Sequence, residues 1–176
     1  MSGSLRSMGL AAALTLSMPA ALALADEAGG CARVRKAFEN VVTTPGHSYT
    51  TETSSQRGTK QTESISLDGK VYVLSNSRWI LSPVTAREML DELRKSGKHA
   101  TLACKVVGEE KVEDRTTTVY ATTSQTGDGR NESKLWIDKV SGLLLRQEED
   151  LTGGGHAVHL SIRYEYGNVK APKLAD

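Results

Sequence analysis

Histidine is the residue of this 176-residue chain whose chemistry is easiest to recognise, and four are present. His156 and His159 are three positions apart, a spacing that would place both imidazoles on one face of a helix and would suit a metal ion. The alternating apolar residues around them predict a strand instead, on which an odd offset puts the two rings on opposite faces. We therefore expect neither a metal site nor a cofactor.

Groups for nucleophilic catalysis are equally hard to assemble from the sequence. No serine lies in a nucleophile-elbow motif, and the three glycines at 153–155 lack the lysine and the following helix of a phosphate-binding loop. Arg163 and Glu165 share a face of a predicted strand and fit a solvated charge pair better than an active-site couple. The sequence therefore predicts no catalytic residue and favours a protein that is not an enzyme. A hydrolase is the least favoured of the functions considered.

The two cysteines allow two interpretations. In an exported chain Cys31 and Cys104, separated by 73 positions, are expected to form a disulfide. Alternatively, Cys31 is a lipidation site. Against lipidation, the residues at 28–30 lack the usual leucine, and Asp26 and Glu27 interrupt the preceding apolar run. The sequence favours the disulfide and leaves lipidation open.

A third group of residues has the character of an apolar binding surface. Residues 64–81 predict three short antiparallel strands, because Asp68-Gly69 is a strong signal for a two-residue hairpin and Asn76-Ser77 a weaker one. The expected pairs are Leu67 with Lys70, Ile65 with Tyr72, Leu74 with Trp79, and Tyr72 with Leu81. Paired residues share a face. One face is therefore apolar and consists of Ile65, Leu67, Tyr72, Leu74, Trp79 and Leu81, whereas Ser64, Ser66, Val71, Val73 and Ile80 form the other.

A helix that could cover this apolar face follows directly. Thr85 and Glu88 fit a capping box, and Gly97 is a suitable C-terminal stop. The helix, expected at 85–95, has an apolar stripe of Met89, Leu90 and Leu93. We expect it to act as a lid over the apolar face. These nine residues would then line either an apolar cavity or a filled core.

The N-terminal segment predicts export. Arg6 precedes an apolar run at 8–23, and Ala23-Leu24-Ala25 resembles the small-residue cleavage site of a signal peptide. We expect residues 1–25 to be removed and residues 26–176 to form one exported domain. Pro19 interrupts the apolar run and argues against a transmembrane helix, and no later stretch is long and apolar enough to span a bilayer.

The charges of the chain are balanced. It has 22 basic and 21 acidic residues, and removal of Arg6 with the signal peptide would leave equal numbers. Nucleic-acid binding usually requires a basic face, so this balance argues against nucleic acid as a partner. It also gives no electrostatic support for docking on an anionic membrane.

The remaining elements define the expected fold class. Residues 26–42 predict a helix with an apolar stripe of Cys31, Val34, Phe38 and Val41, and pairing of the cysteines would place it on the sheet face that carries Cys104. Residues 47–56, rich in threonine and serine, predict a long exposed strand. About nine strands and two helices with short connections predict an α+β, mostly β fold, in which an antiparallel sheet curves around the helices.

Two segments resemble a known family. Residues 136–148 (WIDKVSGLLLRQE) resemble a strand–turn–strand of LolA-like proteins, and residues 163–169 (RYEYGNV) resemble their closing strand. This superfamily contains periplasmic lipoprotein carriers, their outer-membrane receptors and the sensor domains of envelope-stress regulators. The resemblance implies an unclosed half-barrel whose concave apolar face is covered by helices.

The resemblance also implies two alternative functions. In carrier members the concave face takes the acyl chains of lipoproteins, which would make this chain a periplasmic, non-catalytic binding or carrier protein for a lipid or lipidated chain. The chain departs from a carrier in its few aromatic residues and its threonine- and serine-rich first strand. The alternative is an interaction or sensor module with a filled core that docks another envelope protein.

Overall fold

One antiparallel sheet of nine strands dominates the computed structural model, which describes residues 21–96, 101–126 and 129–174. In chain order the elements are α1 (Ala21–Thr43), β1 (Gly46–Ser54), β2 (Gly58–Leu67), β3 (Lys70–Ser75), β4 (Arg78–Leu81), α2 (Ala86–Ser96), β5 (Thr101–Val112), β6 (Arg115–Thr126), β7 (Gly129–Asp138), β8 (Leu144–Gly153) and β9 (His156–Tyr166). The strand order is β4-β3-β2-β1-β9-β8-β7-β6-β5. Because β4 and β5 are unpaired edges, the sheet is not closed, which confirms the predicted mostly-β half-barrel.

The hairpins at 64–81 have the predicted register. Their pairs are Leu67–Lys70, Ile65–Tyr72, Leu74–Trp79 and Tyr72–Leu81. Asp68, Gly69, Asn76 and Ser77 all have positive φ angles, as a two-residue turn of the primed type requires at both central positions. The turn residues therefore determine the pairing of β2, β3 and β4.

Strand β1 differs from its prediction as an exposed strand. It lies in the middle of the sheet between β2 and β9, and most of its residues are half-buried. Its pairing with β9 joins residues far apart in sequence, such as Ser48 and Tyr164. This long-range pairing, which no local pattern reports, places a threonine- and serine-rich strand inside the sheet.

Helix α1 forms the main hydrophobic core against one face of the sheet. Its buried residues Cys31, Val34 and Ala37 pack with residues of β5 to β8. These sheet residues are Cys104, Tyr120, Leu135, Ile137 and Leu144. Strand pairing places all of them on one face, which we call the concave face. The disulfide between Cys31 and Cys104 is present, which confirms the favoured interpretation of the cysteines and the predicted position of the helix.

The predicted signal peptide lies mostly outside the described residues, so cleavage after Ala25 stays a prediction. Helix α1 is described from Ala21, upstream of the predicted start at residue 26. Within the described ranges, no helix is long and apolar enough to cross a membrane.

Removal of the disulfide should destabilise the protein strongly. The double variant Cys31→Ala/Cys104→Ala frees a loop of 73 residues in the unfolded chain, and the chain-entropy model gives a loss of about 4 kcal/mol in the free energy of unfolding. Urea denaturation of both proteins, with and without reductant, measures this loss. Reductant should destabilise the wild type and leave the variant unchanged. Equal stability of the two proteins without reductant would contradict the expectation.

Candidate ligand-binding site

The structure separates the nine predicted site residues onto two faces of the sheet. Ile65 pairs with His47 and Tyr72, and the alternation of side chains places the six predicted strand residues on the face opposite α1, which we call the convex face. Met89 of α2 instead borders a cavity with Ser64, Ser66 and Val71 of the concave face. Met89 therefore lies on the side of the sheet opposite the six strand residues, which contradicts its predicted place over the apolar face.

The cavity beside Met89 lies where α1, α2 and the sheet meet. Its volume is about 70 Å³. Its apolar and aromatic lining comes from α1 (Val41, Val42), α2 (Met89), β3 (Val71) and β9 (Tyr164, Tyr166). Its polar floor comes from Ser48, Ser64 and Ser66, and Gly46, His47 and Glu165 also border it. We call this space the helix cleft. Its composition matches an apolar ligand pocket with a small number of polar groups.

The polar groups of the helix cleft have partners within the protein. The Ser48 and Ser64 hydroxyls lie 2.7 Å apart. The Tyr166 hydroxyl donates to the Leu144 carbonyl at 2.9 Å, and the Tyr164 hydroxyl donates to Gln147 Oε1 at 3.1 Å. Burial raises the pKa of both tyrosines, so they stay neutral near pH 7. A ligand would meet mainly apolar surface and satisfied hydroxyls there, with His47 and Glu165 at the border of the cleft.

Helix α2 is held at its start by the predicted capping box. The Thr85 amide donates to Glu88 Oε2 at 2.8 Å, and the Glu88 amide donates to the Thr85 hydroxyl at 3.3 Å. The Ala86 amide also donates to the Gly69 carbonyl at 3.2 Å. The predicted stop Gly97 lies outside the described residues. The local sequence therefore fixes where this helix begins on the sheet.

The apolar stripe of α2 is incompletely buried. Met89 is 42% exposed, and Leu90 and Leu93 are half-buried. An exposed ion pair joins this helix to α1, with Arg94 Nε 3.1 Å from Glu39 Oε1. Exposed ion pairs contribute little to stability. A covalent bond restrains α1, whereas weaker interactions hold α2 in place.

The convex face carries a separate cluster around His47. Its Nε2 lies 2.8 Å from Glu63 Oε2, and its ring stacks on Tyr49 at 4.1 Å and meets Trp79 edge-on at 5.9 Å. Ile65 and Tyr72 lie near this cluster and are only 6% and 8% exposed. The predicted face residue Leu67 lies apart from this cluster, at a cavity that it borders together with Ala86 of α2.

The groups considered for metal binding and catalysis lie mostly in exposed charge pairs. Among the described residues, no three histidine, cysteine, aspartate or glutamate side chains are arranged to hold a metal ion. His159 Nδ1 lies 2.8 Å from Asp150 Oδ1, and its Nε2 lies 3.0 Å from Glu148 Oε2. Arg163 and Glu165 form the predicted solvated ion pair. These contacts fit charge pairing on the convex surface.

Most of the residues that line the helix cleft were not among the predicted site residues. Val41 belongs to the predicted apolar stripe of α1, and Tyr164 and Tyr166 lie two positions apart on β9 and so share a face. Placing them beside Val71 requires the pairing of β1 with β9. The local sequence does not indicate this pairing, so it does not indicate the cleft.

Comparisons with known proteins identify the fold. No protein-family model and no curated protein matches the sequence. The structure of MucB in complex with MucA(peri) is similar with a TM-score of 0.51 and 17% identity, and the match covers 81% of this chain and 57% of the MucB chain.

Two further solved structures are more distant. LprF from Mycobacterium bovis has a TM-score of 0.44 at 11% identity and matches 85% of this chain and 98% of its own. The LolA superfamily protein NE2245 from Nitrosomonas europaea has a TM-score of 0.31 at 8% identity and matches 80% and 94%. The likeness to MucB, at 17% identity, shows the fold alone, and that fold is the predicted LolA-like fold.

Protonation of His159 should stabilise the protein. The hydrogen bond with Asp150 raises the pKa of His159, despite partial burial, and Glu148 acts in the same direction. A histidine with a raised pKa in the folded state contributes to the stability of the protein while it is protonated. This contribution is complete below the pKa of the unfolded state, near 6.5, and is lost as the pH rises through the pKa of the folded state. His159→Gln should therefore flatten the fall in Tm between about pH 6 and pH 8, as thermal denaturation at several pH values would measure.

The variant Asp150→Asn provides the matched test, because it keeps the histidine and removes the main interaction that shifts its pKa. It should flatten the same part of the profile. Profiles of both variants that run parallel to the wild type would contradict this assignment.

Proposed function

We propose that the protein is a non-catalytic binding protein that holds an apolar chain, such as the acyl group of a lipid or lipoprotein, in the helix cleft. The observation that carries this proposal is the exposed stripe of α2 beside a cavity lined by Val41, Val42 and Val71. A ligand in this position would bury apolar surface that the empty protein leaves in water, which is favourable by roughly 25 cal/mol per Å².

Binding requires the cleft to widen. Its volume of about 70 Å³ is below the roughly 300–1,000 Å³ of pockets that enclose drug-sized ligands. The disulfide restrains α1, so we propose that α2 moves outward and that Arg94 separates from Glu39 as it does so. The exposed connection 82–85 between β4 and α2 is a suitable hinge, because its residues lie outside regular structure.

The composition of the cleft also indicates which part of a ligand it takes. Its apolar walls suit a hydrocarbon chain, while the serines on its floor leave less apolar surface than a site for several bulky chains requires. We propose that one chain enters and that its polar end stays in water. Tyr166, with an apolar ring facing the cleft and a satisfied hydroxyl, suits this amphipathic arrangement.

Two further observations support an exported binding protein. A disulfide between distant residues is typical of proteins that fold in an oxidising compartment. The solved structure of MucB, which has a similar fold, contains MucA(peri) as a bound partner. We propose that this chain is processed after Ala25 and works in the periplasm as the single domain 26–176.

A charge at Met89 should prevent binding. In the proposed complex a fluorescent fatty-acid probe covers this side chain, so Met89→Glu would place a carboxylate against hydrocarbon. We expect the Kd of the probe to rise at least tenfold, which corresponds to about 1.4 kcal/mol. Fluorescence titration of the full chain with the probe measures the Kd.

Val107→Glu is the matched control, because Val107 on β5 is 47% exposed, similar to Met89, and does not line the cleft. It should leave the Kd within about twofold, well under 1.4 kcal/mol. Leu81→Glu tests the convex face in the same way and should also have little effect. Absence of probe binding by the wild type, or equal losses in all three variants, would refute the proposal.

A further inference from the structure

The C-terminal tail of the chain, residues 167–174, reaches across to the far edge of the sheet. Strand β9 ends at Tyr166 beside β1, yet Leu174 forms an isolated parallel β-bridge with Trp79 of the edge strand β4. The tail therefore spans the width of β1, β2 and β3 to reach this edge. The chain thus places an extended segment of its own against the end of its sheet.

The backbone of β4 has groups available for such pairing. The Ser82 amide donates to the Val71 carbonyl at 2.8 Å, which identifies this position as a hydrogen-bonded pair of the antiparallel ladder. Because such pairs alternate, the amide and carbonyl groups of Trp79 and Leu81 point away from β3. The bridge to Leu174 occurs at one of these two outward positions. An added strand would find its hydrogen-bonding partners there.

The apolar surface around this edge is unusually exposed. Seven large apolar residues in the described part of the chain are prominently exposed, and four of them lie on β4, just after it or on the tail that reaches it. They are Ile80 and Leu81 on the strand, Val84 in the following turn and Leu174 on the tail. Apolar side chains gathered in one region of a surface are typical of a binding site for another protein.

The tail covers this edge only in part. Strands β3 and β4 share four residue pairs, whereas the tail contributes an isolated bridge. Leu174 remains 42% exposed in this position, and Leu81 beside it remains 47% exposed. A segment that formed a longer ladder and buried both leucines would therefore bind more tightly than the tail does.

We propose that the β4 edge is a docking site for an extended segment of a partner protein, which adds as a strand parallel to β4 and displaces the C-terminal tail. Strand addition of this kind draws its affinity from main-chain hydrogen bonds and its specificity from alternate side chains. The tail indicates the chemistry of the segment: an extended stretch with an apolar side chain where Leu174 lies. Docking here requires no ligand in the helix cleft.

The direction of the bridge distinguishes a partner from a second copy of this chain. Two β4 strands that continue one sheet around a two-fold axis perpendicular to that sheet would pair antiparallel, because such an axis reverses the strand direction. The tail runs parallel to β4 instead. The geometry that the protein already accommodates is therefore that of a different segment, not of its own edge strand.

A peptide with the sequence of residues 167–174 serves as the probe. The full chain carrying Leu174→Asp should release its tail and leave the β4 edge free. It should then bind the separate peptide at least tenfold more tightly than the wild type does, because the tethered tail of the wild type competes at a high effective concentration. Titration of isotope-labelled protein followed by NMR measures the Kd, and the shifted amide signals should belong to Arg78–Leu81.

Three controls separate strand addition from other contacts. In the Leu174→Asp chain, Leu81→Pro removes an amide that points away from β3 and leaves the hydrogen bonds to β3 in place, so it should weaken peptide binding. Leu81→Ala keeps this amide and should weaken binding less. A peptide with an N-methylated backbone should not bind, a result independent of how the protein variants fold. Failure of the Leu174→Asp chain to bind the peptide, or equal binding of the methylated peptide, would overturn the proposal. Self-association of that chain through β4 would overturn it in favour of a second copy.

Discussion

The disulfide between Cys31 and Cys104 is the constraint on which the arrangement of the helices depends. It joins α1 to β5, which is an edge of the sheet, so the helix is held over the concave face. Val34 and Leu135 are then almost completely buried between helix and sheet. The half of the sheet formed by β5 to β8 is filled in this way, which leaves the junction with β1 to β3 as the place where a ligand could enter.

The functional proposal follows from the contrast between the two helices. Helix α1 contributes Val41 and Val42 to the cleft from a fixed position, and α2 contributes Met89 from a position held by a capping box and an exposed ion pair. Movement of α2 changes the volume of the cleft without disturbing the main core. The edge strand β4 lies directly before this helix. A partner strand on β4 and a ligand beneath α2 would therefore act on neighbouring elements.

Local sequence was sufficient for the hairpins, the capping box and the disulfide. Asp68-Gly69 and Thr85 act through their immediate neighbours, so their consequences could be predicted residue by residue. The sequence did not show which face of the sheet the helices cover. The alternation along a strand indicates which residues share a face, but not which of the two faces packs against a helix. The concave face of these hairpins is also moderately apolar, because it carries Val71, Val73 and Ile80. Only the pairing of β1 with β9 connects this face to Tyr164 and to the core beneath α1.

The central claim is that the concave face beneath α2 holds the ligand and that the convex face does not. Photo-crosslinking with a fatty acid that carries a diazirine near the end of its chain tests this claim most directly. After irradiation of the full chain and mass spectrometry of its peptides, we expect labels on Val41, Val42, Val71 and Met89. Labels concentrated on Ile65, Tyr72 and Leu81 would contradict the account.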